Sequence, residues 1–113
     1  MGASEKPQRY SNMAVRRLVA QGLPVLAVGR RAGHIASTPI HTELPAGTEA
    51  HTVTLYLSPA NQAEWKARLL ALKPERVIFN PGAENPAFAA ALREAGLEVV
   101  EACTLVMLAT GGY

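Results

Sequence analysis

Apolar and polar positions along the chain change period several times, and each change marks an element. Ala14, Val15, Leu18 and Val19 recur at helical spacing, which predicts a helix with Ser11 as its N-cap and Gly22 at its end. Pro24-Val25-Leu26-Ala27-Val28 is an almost wholly apolar run, the pattern of a strand buried on both faces. Gly29 to Pro39 reads as a polar loop carrying Arg30, Arg31, Gly33 and His34. A short extended piece at Ile40-His41-Thr42 and a turn at Pro45-Ala46-Gly47 follow. Thr52 to Leu57 is rich in β-formers and is stopped by Ser58-Pro59.

Asn61 is expected to cap the next helix, which carries Trp65, Leu69, Leu70 and Leu72 and halts before Pro74. The spacing of Trp65 with the leucines makes it a core residue. Arg76 to Phe79 is a short buried strand that runs into the turn Asn80-Pro81-Gly82. Asn85-Pro86 opens an alanine-rich helix ending at Gly96, with Pro86 at its first position. Glu98 to Glu101 is a last strand. Thr104 to Ala109 is an apolar tail, expected to form a helix packed on the sheet.

Strands alternating with helices at this spacing predict a single α/β domain over residues 1–113, with a doubly wound parallel sheet and right-handed crossovers. Ligands of such sheets sit beyond the carboxyl ends of the strands. The turns expected there are Gly2-Ala3-Ser4, Gly29-Arg30-Arg31, Ser58-Pro59 and Asn80-Pro81-Gly82. Gly2-Ala3-Ser4 feeding a helix is the kind of turn whose backbone N–H groups hold a phosphate, with the helix dipole behind them. Only Met1 precedes it, where a buried strand is expected.

Composition narrows the field further. Hydrophobic residues are 49% and charged residues 18% of 113, which places the chain among folded domains. Eleven basic residues against nine acidic ones, with no basic run longer than Arg30-Arg31, give no electrostatic footprint for nucleic acid. Aromatics at 5% leave little to stack exposed bases. The single cysteine, Cys103, forms no internal disulfide and fits a reducing cytoplasm. No apolar stretch is long enough for a membrane span, and no signal peptide is expected, since no basic region followed by an apolar core opens the sequence. A cytoplasmic protein is expected.

Candidate chemistry is sparse. His34, His41 and His51 match no zinc spacing, so no metal site is expected. Cys103 could form a mixed disulfide with a thiol ligand, but burial as a small hydrophobe is the expectation. Glu84 and Asn85 could be an acid and its orienting amide, yet Asn85 as a helix cap beside a solvated Glu84 is favoured. Tyr10 can stack on a base or pack against its loop. No catalytic constellation stands out, and binding rather than catalysis is expected.

The end of the second strand discriminates among nucleotides. An NAD site places Asp or Glu there, whereas this chain has Gly29-Arg30-Arg31. Two guanidinium groups suit a ligand with an extra phosphate near its adenosine, as in NADP or coenzyme A. Alternatively they only solubilise a loop.

Gly2-Ala3-Ser4 with Arg9-Tyr10-Ser11, Val28-Gly29-Arg30, Phe79-Asn80-Pro81-Gly82-Ala83-Glu84-Asn85 and Glu101-Ala102-Cys103-Thr104 together resemble the small bacterial CoA-binding domain proteins. These stand-alone Rossmann-like domains are similar to the CoA-binding domain of the succinyl-CoA synthetase α subunit. The resemblance covers essentially the whole chain. It implies that coenzyme A or an acyl-CoA is bound, with Gly2, Ala3 and Ser4 on the diphosphate and Arg30 or Arg31 on the ribose phosphate. Arg9, Tyr10 and Gly29 fall in the same matching blocks and are candidate binding residues. Phe79, Asn80 and Pro81, with Gly82 beside them, would line the pantetheine side, flanked by Ser58 and Pro59.

Family members carry an apolar central strand ahead of the Gly-Ala-Ser turn, and this chain has none, which suggests a start at an internal Met or a truncated product. Loss of such a strand exposes sheet edges, so reduced stability and homo-oligomers paired through those edges are expected. Two other functions compete: an NADP-dependent oxidoreductase-type domain, and an interaction module that has lost its ligand.

Overall fold

Helix α1 covers Tyr10–Ala20 and turns Ala14, Val15 and Leu18 inward, as the helical spacing predicts. The structure, a computed structural model describing residues 1–113, continues with strands β1 (Ala27–Val28), β2 (Gly33–Ile35), β3 (Thr38–His41) and β4 (Thr52–Leu55). Two 3-10 turns at Pro59–Asn61 and Ala63–Trp65 lead into α2 (Lys66–Leu72). Then come β5 (Arg76–Phe79), α3 (Pro86–Glu94), β6 (Glu98–Glu101) and α4 (Thr104–Thr110). The chain divides into two units, one of Met1–Ala46 with Thr104–Tyr113 and one of Gly47–Cys103.

The first unit holds a three-stranded sheet in the order β1-β3-β2. β1 lies parallel to β3 in the register Ala27↔Ile40 and Val28↔His41, and β2 lies antiparallel to β3. Val15, Ala27, Ile35 and Ile40 form its core, with Ala3 and Val25 packed against it. α4 packs along α1, burying Thr104 and Leu108 while Val106 stays exposed.

Four expectations are corrected here. Ser11 does not cap α1: the helix begins at Tyr10 after an extended Arg9, no side chain caps it, and Ser11 is buried inside its first turn. The strand expected over Pro24 to Val28 is only two residues long and is not buried throughout. Leu26 is 41% exposed because the pairing with β3 begins at Ala27. The expected loop from Gly29 to Pro39 contains a hairpin, closed by a two-residue turn at Ala36 and Ser37 with Ala36 at φ 53°. The C-terminal helix is present, but it packs on α1, and its narrow buried stripe suits a single helical neighbour.

The second unit is a three-stranded parallel sheet in the order β4-β5-β6, with α2 and α3 as the crossovers. Val77, Ile78 and Phe79 of the central strand are all buried, the signature of a strand covered on both faces. Trp65 and Leu69 join this core, and the Arg68 guanidinium lies 4.7 Å from the centre of the Trp65 ring. Asn85 caps α3 as expected, its Oδ1 accepting from Phe88 N at 3.2 Å, with Pro86 at the first helical position. Asn61 caps nothing. It sits at the end of a 3-10 turn, and its Nδ2 donates to Ser58 Oγ at 3.0 Å.

Candidate functional site

In the first unit, the turn Gly2-Ala3-Ser4 is seated on the carboxyl end of β1. Gly2 N and Ala3 N both donate to Val28 O at 2.9 Å. Gly29 continues the strand, its N–H bonded to His41 O at 2.9 Å, and its Cα lies flush against the Ala3 backbone. A Cβ at position 29 would overlap Ala3 O and lie 3.0 Å from Ile40 Cγ2. Only glycine allows the two segments to touch.

Ser4 is fixed from the helix side. The fully buried Asn12 donates from Nδ2 to Ser4 O at 2.8 Å, and its Oδ1 accepts from Arg16 Nε at 2.8 Å. Ser4 Oγ accepts from Lys6 N at 3.2 Å. The turn is therefore pinned by β1 before Ser4 and by α1 after it. Arg9 and Tyr10 stand at the start of α1 and both are exposed, Tyr10 to 68%. The first N–H groups of α1 have no acceptor within the helix, as at any helix start.

Arg30 and Arg31 directly follow Gly29, and both are exposed. The strand-end turn and the main chain leading into Arg30-Arg31 thus meet at the carboxyl end of β1. Burial lowers the pKa of the Met1 α-amino group from 8.0 to about 5. The residue as a whole is half-buried.

In the second unit, the remaining expected residues surround the carboxyl ends of β4 and β5. Asn80 is fully buried, and both its N–H (3.2 Å) and its Nδ2 (2.9 Å) donate to Leu55 O. Pro81 and Gly82 are the exposed corner of a tight turn closed by Ala83 N to Asn80 O at 2.8 Å, and Gly82 takes the positive φ of 90° that this turn demands. Glu84 is exposed and accepts from Gly82 N at 2.7 Å through Oε1. The Phe79 side chain is 1% exposed and meets Phe88 edge-on at 5.8 Å, so it supports the turn from the core and offers no outer surface. Ser58 and Pro59 are exposed. Cys103 is half-buried.

Sequence reasoning did not find Gln62, which organises this end of the unit. Buried to 1% exposure, it donates from Nε2 to Leu57 O at 2.8 Å and to Ala83 O at 2.7 Å, and its Oε1 accepts from Asn85 Nδ2 at 3.0 Å. One amide therefore ties the segment before Ser58 to the turn after β5 and to the cap of α3. Asn12 was missed for the same reason. Neither has a local signal, because each binds a carbonyl that its sequence neighbourhood does not specify.

The model of the CoA binding domain matches residues 1–109. The chain belongs to that family. Among solved structures, the CoA binding domain described here resembles an uncharacterised protein with 43% identity and a TM-score of 0.92, covering 99% of this chain and 93% of the other. A Thermus thermophilus protein known as cell-free ID.343 is 27% identical with a TM-score of 0.85, covering 100% of this chain and 87% of the other. Prb, the PH1109 protein redesigned for binding, is 24% identical with a TM-score of 0.84 and coverage of 99% and 81%, a likeness of fold alone. No curated protein matches. The fold is thus the mixed α/β, Rossmann-like one that the alternation of strands and helices predicts. No helix is long and apolar enough to cross a membrane.

Proposed function

We propose that the chain binds coenzyme A or an acyl-CoA, with the phosphate-bearing end held by the first unit. The observation that carries this reading is the seating of Gly2-Ala3-Ser4 on the end of β1, against Gly29 and next to Arg30-Arg31. The N–H groups of Gly2 and Ala3 are taken up by Val28 O, so the turn would position the diphosphate while the amides offered to it are those at the start of α1, from Tyr10 onward. The guanidinium groups suit a phosphomonoester on the ribose, because Arg pairs with phosphate in a planar fork. Such groups hold anions and exchange no proton near neutral pH, so the arrangement is one for binding. Arg9, Tyr10 and Gly29 belong to the same proposed set. Ser58, Pro59, Phe79, Asn80, Pro81 and Gly82 are proposed for the pantetheine end on family resemblance, with Phe79 acting through its backbone and its support of the turn.

Calorimetry with coenzyme A, dephospho-CoA and NADP tests the reading. Coenzyme A is expected to bind about tenfold or more tighter than dephospho-CoA, the value of one charged phosphate contact. Replacing Arg30 and Arg31 by alanine should erase that difference. Equal or tighter binding of NADP would replace this reading with an NADP-binding one, and no binding of any of the three would refute it.

A further inference from the structure

Glu5, one residue beyond the proposed diphosphate turn, reaches across to the hairpin that follows Arg30-Arg31. Its Oε2 accepts from His34 N at 3.1 Å. The carboxyl group lies against the Gly33 backbone so closely that a Cβ at position 33 would overlap it, falling 2.6 Å from Oε1 and 2.7 Å from Oε2. A flat anionic group on a main-chain N–H, beside a glycine with no side chain to obstruct it, is the contact that a phosphate oxygen would make. Two cationic residues stand directly upstream, and the carboxylate itself is exposed to solvent. An exposed carboxylate making one hydrogen bond is a weak occupant, readily exchanged for a ligand with three oxygens and more charge.

We propose that the Gly33–His34 backbone is an anion subsite which Glu5 covers with its own carboxylate, and from which the ribose-borne phosphate must displace it. The proposal rests on the coenzyme A reading above and extends it to a group that regulates that site. Because Glu5 shares a turn with Gly2-Ala3-Ser4, engagement of the diphosphate and release of Glu5 are mechanically linked. The internal competitor lowers apparent affinity by the fraction of time it holds the subsite.

The experiment is calorimetry of the wild-type chain, Glu5→Ala and Glu5→Gln against coenzyme A and dephospho-CoA, with melts by circular dichroism to establish that each is folded. Removing the competitor should tighten coenzyme A binding about fivefold and leave dephospho-CoA within about twofold of wild type. Glu5→Gln keeps the side-chain length without the charge, and it carries the test if Glu5→Ala does not fold. A contact that only staples the hairpin would weaken binding when cut, and that result would overturn the proposal. An equal gain for both ligands would also overturn it, because the ribose phosphate would not be the displacing group. If all three proteins bind coenzyme A alike, the coenzyme A reading stands and the subsite falls. If none binds, both fall.

Discussion

Replacing Gly29 by alanine tests the junction on which the functional reading depends. The added methyl group would overlap Ala3 O and press within 3.2 Å of Ala3 C and 3.0 Å of Ile40 Cγ2. Ile40 is a buried core residue and Ala3 is main chain, so neither side can yield as a flexible side-chain end would. The Gly2–Ser4 turn must move, and the two bonds from Gly2 N and Ala3 N to Val28 O are weakened with it. Each such bond contributes about 1 kcal/mol net, and forced overpacking costs about 1–3 kcal/mol. Because strain and lost bonds are alternatives, the expected loss is about 1–3 kcal/mol. At this chain length that lowers the melting temperature by about 4–12 °C. Urea unfolding measures the first quantity, and calorimetry with coenzyme A the second, where affinity should fall about tenfold or more. If Gly29→Ala lost stability yet kept wild-type affinity for coenzyme A, the turn would not be the diphosphate seat. If it lost neither, the close approach itself would be wrong.

Three further outcomes follow from the geometry. The Met1 α-amino group has its pKa lowered to about 5 in the fold against 8.0 otherwise, so between these values the unfolded chain binds the extra proton. Its contribution is fully present above pH 8 and is lost as pH falls toward 5, by up to about 4 kcal/mol, and acetylating the amino terminus should flatten that slope in urea titrations. Gln62→Ala strands the buried carbonyls of Leu57 and Ala83 and the Asn85 amide, for a loss of about 2–4 kcal/mol. A double-mutant cycle with Asn85→Ala should give a coupling of at least about 0.5 kcal/mol, whereas strict additivity would dissolve the proposed clamp. Self-association through sheet edges should appear as concentration-dependent sedimentation, and Leu26→Lys, beside edge strand β1 and 41% exposed, should reduce it. Sedimentation as a monomer at every concentration would rule the edge contact out.

Where a residue's fate is decided by its near neighbours, the sequence was legible. Asn85-Pro86 announces a capped helix start because cap and helix lie within one turn, and the structure has them so. The run Arg76 to Phe79 and the turn after it are equally local. The hairpin over residues 33–41 was hidden because its turn, Ala36-Ser37, lacks Asn-Gly chemistry and Pro39 sits inside β3. Ser11 and Asn61 have the chemistry of caps but not the position, since the chain turns helical two residues earlier in the first case, with Arg9 in the cap position, and through 3-10 turns in the second.

Most of the candidate site was legible as residue types at strand ends, while the parts that hold it in place were not. Asn12 binds Ser4 O, Asn80 binds Leu55 O, and Gln62 binds Leu57 O and Ala83 O. In each case a buried side-chain amide donates to a main-chain carbonyl at or near the carboxyl end of a strand. Side-chain amides from within the fold thus anchor the carbonyls of these turns, alongside main-chain bonds such as those from Gly2 N and Ala3 N to Val28 O. The consequence separates two kinds of substitution. Removing a cation such as Arg30 should change affinity with little change in stability. Removing a buried amide such as Asn12 should change both, because the loss of one buried donor loosens the turn before any ligand is met.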